Sequence, residues 1–275
     1  MHCISDPKNI SEKSNFSLQA NPNNLAISGN YAYISSAHSN EELQVIDISD
    51  PAVMLKVGAY DASGSTKANG IDVSGSTAYL VRSSSNKDEF LTLDISNPSS
   101  PSLRSSIDLK SSANEVVKIG NYAYVTTDHG SGELKVVDVA SPGSLSIKAE
   151  YNITGNASLL TIAGFGNTVL AGGSNGILYI FDVSNPAAPV LRGQFVAGGS
   201  VNDVTVGKDN TLAFLATSSA TKELQVVNIT DTSNPSLVSS IDMIGNLNGV
   251  AYKSDGDFVI AVGSNNKEEY CVISP

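Results

Sequence analysis

The sequence lacks several features that define common functional classes. No run of about 18 apolar residues, the length that a membrane-spanning helix needs, occurs in the 275-residue chain, so we expect no transmembrane segment. No basic cluster occurs either, and 16 Lys and Arg against 27 Asp and Glu give a net charge of −11. Nucleic acid and anionic membrane surfaces are therefore poor partners. The first residues, MHCISDPKNIS, show no basic segment followed by an apolar one, so we see no signal peptide or anchor and expect a mature or trimmed form.

Catalytic motifs are scarce as well. The histidines, His2, His38 and His129, lack the spacing to Glu or Cys that is typical of zinc sites. The sequence contains no GxSxG nucleophile motif, phosphate-binding loop or paired-carboxylate motif. The Gly-rich stretches at 171–176 and 197–200 open no predicted helix, which argues against a nucleotide site. We therefore predict no catalytic residue from motifs.

One motif is present in five copies. LQVIDISDP at 43–51 recurs as FLTLDISNP, LKVVDVASP and LYIFDVSNP, and in altered form as LQVVNITDTSNP. The residue after each apolar quartet, called the marker below, is Asp47, Asp94, Asp138, Asp182 and Asn228, in steps of 47, 44, 44 and 46 residues. YCVIS at 270–274 supplies a sixth copy. Six units of about 46 residues account for the chain as a single domain, with boundaries near 20–65, 66–110, 111–153, 154–197, 198–243 and 244–275, the last unit including 1–19.

Each unit has the pattern of four strands. In the second unit, the segments at 69–75, 76–83 and 90–98 are short, apolar or alternating, and rich in Val, Ile, Leu and Tyr, and SLRSSIDL follows at 102–109. Such segments predict β-strands, and Gly-Asn or Gly-Ser pairs between the first two suit tight hairpins. No helix-length periodic segment occurs. The sequence thus predicts an all-β, six-bladed β-propeller with four antiparallel strands per blade.

The two ends of the sequence are predicted to share a blade. Residues 4–16 align without a gap on 48–60, where the outer strand of the first full unit is predicted. Residues 246–273 supply three inner strands and no fourth. We therefore expect the N-terminal segment to be the outer strand of the last blade and to close the ring, which removes two free sheet edges.

The repeated segments resemble a known family. LQVIDISDP, LKVVDVASP and LYIFDVSNP, with the upstream GNYAYIS and GNYAYVT, resemble the LVIVD-repeat propellers, found largely in surface or secreted proteins of bacteria and archaea. The resemblance covers almost the whole chain and implies a propeller fold at an extracellular or cell-surface location, without a catalytic signature. The low charged fraction, 16%, agrees with an exported protein.

The marker Asp is interpreted as structural. It ends the third strand and precedes Pro by four residues in four of the units, a place where a side-chain oxygen accepts backbone N–H groups in a turn. Asn228, which replaces Asp in the fifth copy, can fill the same role.

A second set of polar residues is predicted at the start of the inner strands, which line the central channel of a propeller. This set is called the collar below. Carboxylates lie beside it, and two interpretations are open. Carboxylate and amide oxygens could hold Ca²⁺, which takes 6–8 oxygen ligands. Alternatively, each Asn caps the turn into its strand and the channel contains water. We favour this second interpretation, because a residue present in every blade usually has a structural role in the blade. The collar is Asn23, Asn69, Asn114, Ser158, Asn202 and Asn248, with Glu115, Asp203 and Asp72 beside it, and the metal candidates are Glu115, Asp203 and Asn114.

The loops between the second and third strands contain a further cluster. Five of the six end in Glu, namely Glu42, Glu89, Glu133, Glu223 and Glu269. We expect these residues to make one face polar and acidic. The face would either receive a cationic partner or divalent ions, or be a solvated rim that keeps the molecule monomeric.

The two cysteines, Cys3 and Cys271, both fall in the blade built from the two ends. A disulfide between them would lock the ring and would fit an oxidising compartment. In the aligned repeats the two positions differ by three residues, about 10 Å along a strand, which exceeds the roughly 7 Å limit for a bridge. The sequence leaves both states open.

Two functional hypotheses follow. The first is a non-enzymatic extracellular or cell-surface propeller that acts as a binding or structural module for a protein, a surface glycan or further copies of itself. The alternative is a Ca²⁺-dependent hydrolase, similar to lactonases and esterases, with the metal at the channel mouth. Glu115 or Asp203 would then be ligand or base, assisted by Asn69, Asn114 and Asn202. Fold alone does not decide between them.

Overall fold

A computed structural model gives the fold of the chain. It describes residues 2–3, 11–12, 14–64, 66–84, 86–128, 130, 132–155, 157–243, 245–254, 256–264 and 270–273, with the backbone alone at 2–3, 11–12 and 270. The chain divides into two compact units, one formed by residues 1–130 with 135–150 and the other by residues 131–134 with 151–275.

The first unit contains blades one and two and most of blade three. At its start, the short strands β1 (His2–Cys3) and β2 (Ser11–Glu12) pair with each other. Each blade that follows is a four-stranded sheet whose strands neighbour one another in chain order. Blade one is β3 (Pro22–Ser28), β4 (Tyr31–Ser36), β5 (Leu43–Asp47) and β6 (Leu55–Tyr60), blade two is β7 (Ala68–Ser74), β8 (Thr77–Arg82), β9 (Phe90–Asp94) and β10 (Ser102–Ile107), and blade three is β11 (Ala113–Ile119), β12 (Tyr122–Thr127), β13 (Leu134–Asp138) and β14 (Ser146–Tyr151).

The second unit contains blades four to six in the same arrangement. The last blade has three described strands. Blade four is β15 (Leu159–Phe165), β16 (Thr168–Gly173), β17 (Ile177–Asp182) and β18 (Val190–Val196), blade five is β19 (Val201–Val206), β20 (Leu212–Thr217), β21 (Leu224–Asn228) and β22 (Ser236–Ile241), and blade six is β23 (Leu247–Lys253), β24 (Phe258–Gly263) and β25 (Tyr270–Ile273).

Six antiparallel sheets of repeated order make the chain an all-β, six-bladed β-propeller, which confirms the fold predicted from the repeat. The part of the chain that the structure describes contains strands and turns but no helix. Accordingly, no helix among these residues is long and apolar enough to cross a membrane.

The second and third strands of a blade are buried, whereas the fourth is largely exposed. All six residues of β8 are buried, and β22 is exposed along most of its length. Burial on both faces explains why the repeat reads as a continuous apolar quartet, because neighbouring blades cover both sides of these strands. Blade-to-blade cores form as a result, for example from Tyr33, Leu43 and Val45 of blade one with Ile71, Leu80 and Leu93 of blade two.

The N-terminal segment was expected to complete blade six. Residues 4–10 and 13 lie outside the described residues, so closure of the ring stays a prediction. One contact within the first unit agrees with it: the Ser14 hydroxyl donates to the Pro51 carbonyl at 2.5 Å. Gly58, which aligns with Ser14, lies against the equivalent carbonyl of Pro98, where an added Cβ would be only 2.1 Å from the oxygen.

We predict that blade-to-blade packing dominates stability. Leu80→Ala should lower the free energy of unfolding by about 2–5 kcal/mol, because Leu80 is fully buried between two blades and its truncation leaves a cavity. Leu103→Ala in the outer strand of the same blade, where the side chain is 48% exposed, is the matched control and should cost less than about 1 kcal/mol. Urea unfolding measures both. Equal losses would contradict this assignment of the core.

Candidate functional site

The markers form turns, as the sequence predicts. Each marker side chain accepts the backbone N–H two residues later, at 2.9 Å for Asp47, 2.9 Å for Asp94, 3.0 Å for Asp138, 2.8 Å for Asp182 and 2.9 Å for Asn228. The hydrogen bonds from Ser96, with a contribution from Arg104, lower the pKa of Asp94 to about 2. The Arg192 guanidinium and the Ser184 N–H have the same effect on the pKa of Asp182.

The inner strands share an irregularity that positions the collar. In each blade the pairing of the first two strands shifts by one residue directly after the first residue of the inner strand, so its second residue is a bulge. Five of the collar residues occupy this bulge. The prediction for blade four is wrong, because Ser158 precedes β15 and Leu160 occupies the bulge there. The bulge residues are Asn23, Asn69, Asn114, Leu160, Asn202 and Asn248.

Three of the bulge asparagines join neighbouring blades. The Asn23 amide donates to the Ala68 carbonyl at 2.6 Å and the Asn69 amide to the Ala113 carbonyl at 2.8 Å. In the second unit the Asn202 amide donates to the Leu247 carbonyl at 2.7 Å. In all three cases the acceptor is the first residue of the next inner strand. These three asparagines therefore join adjacent inner strands, a contact that neither interpretation of the collar includes, and both interpretations stay predictions.

Asp203 connects three blades. Its Oδ1 accepts the Thr161 hydroxyl of blade four at 3.1 Å and the N–H of Val204 at 2.8 Å, while Oδ2 accepts the N–H of Val250 in blade six at 2.8 Å. Burial outweighs these donors and raises the pKa of Asp203 to about 6. Asp203 thus joins the inner strands of blades four, five and six. It accepts the N–H of Val250, a backbone group at a sheet edge that no described strand pairs with.

The first unit contains two comparable contacts. Asp72 accepts the N–H of Val73 and, from the next blade, the N–H of Lys118, both at 2.7 Å. Burial raises the pKa of Asp72 above its ordinary value. Glu115 accepts the amide of Asn24 at 2.5 Å, which joins blade three to blade one.

Sequence reasoning missed Asn24 and Thr161 as partners of the two candidate carboxylates. Both lie one residue beyond the bulge, the place that Glu115 and Asp203 take in their own blades. The strand register, with one extra residue counted at the bulge, gives all four residues the same position within their own inner strands. The carboxylates occupy corresponding places, but they belong to different units.

The glutamates before the third strands are buried, so the expected acidic rim is wrong for the four that the structure describes. Each Oε2 accepts a backbone N–H from the segment that leads to the next blade. The exposed fractions of Glu42, Glu89, Glu133 and Glu223 are 0–3%, and their donors are Ala62 at 3.0 Å, Leu109 at 2.8 Å, Ile153 at 2.9 Å and Met243 at 2.7 Å. Glu269 lies outside the described residues.

Blade four lacks this glutamate, and a backbone carbonyl accepts the corresponding N–H instead. Ile177 stands in blade four where the other blades have Glu, and the carbonyl of Gly176 just before it accepts the N–H of Ala197 at 2.8 Å. The linking segment there is held by the backbone directly. In blades one, two, three and five a carboxylate provides the acceptor, and burial raises the pKa of Glu42.

The remaining candidates are placed as follows. The Nδ1 atom of His38 accepts the N–H of Asn40 at 3.2 Å, and His129 lies outside the described residues. Cys271 is partly buried in β25, but the side chain of Cys3 is not described, so their bridge stays a prediction. No three His, Cys, Asp or Glu side chains among the described residues converge as metal ligands, and the calcium site also stays a prediction.

A cavity of about 440 Å³ lies between blades five and six, walled by Phe214 and Tyr252, whose rings stack 5.5 Å apart. In the equivalent space of other blades, the residue after the marker is buried, for example Val139 and Ile229. The corresponding position in blade six is 275, which lies outside the described residues. We therefore assign no ligand to this cavity.

These features define a class of protein: a repeat-built propeller whose recurring polar side chains bind the backbone of adjacent blades. The LVIVD repeat model matches residues 19–62, 65–108, 111–153 and 166–196, which is more than half of the chain. The protein belongs to the LVIVD-repeat family. A search of curated proteins found no match.

Solved structures share the fold at low sequence identity. A protein from Lactobacillus plantarum is similar with a TM-score of 0.80 at 14% identity, over 94% of this chain and 82% of that one. The Cps50 (Swd1) β-propeller domain from Myceliophteria thermophila gives 0.70 at 16%, over 93% and 83%. A chain of the mitotic checkpoint complex gives 0.76 at 11%, over 98% and 80%.

We predict that the buried glutamates stabilise the linking segments. Glu42→Ala should lower the free energy of unfolding by about 1–3 kcal/mol, because it leaves the N–H of Ala62 buried without an acceptor. Glu42→Gln retains an acceptor oxygen and should stay within about 1 kcal/mol of the wild type. Glu41→Ala is the matched control, since its exposed pair with Lys56 is worth about 0–1 kcal/mol. Equal effects of Ala and Gln in chemical denaturation would contradict the role.

We also predict a pH dependence from Asp203. Its pKa is higher in the folded state, about 6 against 3.8, so the folded state binds more protons between these values and stability should rise as the pH falls from 7 to 5. The gain from pH 7 to pH 5 is about 1 kcal/mol. Asp203→Asn should remove this part of the slope. Asp72 and Glu42 shift in the same direction and remain in the variant, whereas Asp94 and Asp182 act only below about pH 4. Urea unfolding at both pH values tests this, and an unchanged slope in the variant would refute it.

Proposed function

We propose that this protein is a non-enzymatic propeller that acts as a binding or structural module on the cell surface or outside the cell. One observation carries the proposal: the polar side chains that recur from blade to blade, the bulge Asn and the Glu before the third strand, donate to the backbone of the next inner strand or accept from the backbone of the linking segment. Side chains committed to the scaffold in this way are not arranged for turnover of a substrate. The individual features of the molecule then lie on its outer surfaces.

Two further points support the proposal. Propellers similar in fold include a chain of the mitotic checkpoint complex, and an interaction role suits a fold built from repeats. The low charged fraction of 16% and membership of the LVIVD-repeat family support a location at the cell surface. The partner would be a protein, a surface glycan or another copy of the chain.

The competing hypothesis is the Ca²⁺-dependent hydrolase, and thermal unfolding separates the two. An ion bound only by the folded state raises the melting midpoint by mass action. The binding-module hypothesis predicts that the melting midpoints with 1 mM EDTA and then with about 5 mM added Ca²⁺ agree within about 1 °C. It also predicts no hydrolysis of lactone or ester substrates above the rate without protein.

One outcome would contradict the binding-module hypothesis. A midpoint raised by Ca²⁺ in the wild type, and lost in both Asn114→Ala and Asp203→Ala, together with Ca²⁺-dependent ester or lactone hydrolysis, would establish the hydrolase. Leu103→Ala, a surface change away from the collar, is the control and should respond to Ca²⁺ as the wild type does.

A further inference from the structure

The outer strand of each blade is a sheet edge. Among the described residues, β6, β10, β14, β18 and β22 each end the strand order of their sheet, so one row of their backbone N–H and C=O groups faces no further strand. Such a row is a template for pairing with another chain, and a charged side chain on the strand opposes that pairing. Four of the five strands carry a basic residue, namely Lys56, Arg104, Lys148 and Arg192.

Strand β22 is the exception. Its sequence, SLVSSI, contains no charged residue. Val238 occupies the bulge of the outer strand, where blades two and four carry Arg104 and Arg192, and its side chain is 57% exposed. Leu237 and Ile241 on the same strand are also exposed. The strand therefore presents an apolar edge without the protection that the other described outer strands have.

A groove of mixed polarity adjoins this edge. Leu237 lines a groove of about 370 Å³ together with Phe195 and Val196 of blade four, and Lys222 and Gln225 form part of its polar lining. Val196 is 74% exposed. Side chains from a strand added to β22 can contact the apolar part of this groove. Main-chain hydrogen bonds would supply affinity and the groove would supply side-chain selection, which is the mode of recognition by β-strand addition.

We propose that β22 is a self-association edge, to which β22 of a second copy of this chain adds in antiparallel orientation. A two-fold pairing of this kind satisfies both edges at once with the same residues. The net charge of −11 opposes the approach of two copies, and the uncharged strand is where that repulsion is smallest. Antiparallel pairing also brings Ile241 of one copy toward the Leu237 end of the other. This inference rests on the proposed function, for which it specifies a second copy of the chain as the partner.

The expected dimer is weak. Two paired six-residue strands and one groove bury less than the roughly 1,200 Å² of a stable interface. We therefore expect a dissociation constant in the micromolar to millimolar range, so that the equilibrium shifts over accessible protein concentrations.

Sedimentation equilibrium of the full chain, from about 1 µM to about 1 mM, tests the proposal. The wild type should move from monomer to dimer with concentration. Val238→Lys restores a basic residue to the strand and should raise the dissociation constant at least tenfold. Val53→Lys is the matched control, because Val53 is also 57% exposed but lies in the turn before β6, and it should dimerise as the wild type does. Melting midpoints check folding, and Ser239→Lys, on the same edge, replaces Val238→Lys if that variant is unfolded.

Two results would overturn the proposal. One is a wild type that stays monomeric at every concentration, even if a labelled synthetic peptide of residues 233–243 binds, since the edge would then take an extended peptide instead of a second copy. The other is a dimer that both lysine variants leave intact. Neither result touches the module proposal, which the Ca²⁺ and substrate measurements decide, and hydrolase activity would in turn leave the dimer measurement unaffected.

Discussion

The structure depends on the need to pair backbone N–H and C=O groups where sheets end and chains cross between blades. An unpaired backbone group that is buried costs about as much as a lost hydrogen bond. The inner strand of a blade is a sheet edge, and the segment between blades has no ladder of its own. Side chains fill both gaps: Asn23 and Asp203 reach the next inner strand, and Glu42 reaches the linking segment.

This constraint explains why polar residues recur where a binding site might be sought. A residue that satisfies the backbone is needed once per blade, so it follows the repeat period. Blade four shows that the requirement concerns the hydrogen bond and not the residue, since the Gly176 carbonyl takes the place of the carboxylate. Residues that depart from the repeat are therefore better guides to what is individual. Val238, at a bulge where blades two and four have Arg104 and Arg192, is one of them.

Much of the fold could be predicted from the sequence because its signals are local. The apolar quartet, the hairpin glycines and the marker recur at a fixed spacing, and each reports on residues within a few positions of itself. The turn role of Asp47 could be predicted for that reason, because the N–H of Ser49 lies two residues away.

The candidate site was harder to predict because its contacts are distant in sequence. Glu42 stands in a polar loop and looks exposed, but its partner Ala62 is 20 residues further on. The bond between Asn24 and Glu115 spans 91 positions, and no local pattern signals it. The Asn at the bulge of blades one to three lies six residues before the hairpin Gly, and the same count from Gly166 gives Leu160, which the strand register places at the bulge in place of Ser158.

Amide hydrogen exchange at Val250 tests the central claim most directly. Its N–H donates to the side chain of Asp203 at 2.8 Å, so it should exchange slowly in the wild type and at least tenfold faster in Asp203→Ala. The N–H of Lys118, held by Asp72, is the internal reference and should not change. Rapid exchange of Val250 in the wild type, or protection that survives in Asp203→Ala, would contradict the account in which polar side chains hold adjacent blades by pairing with their backbone.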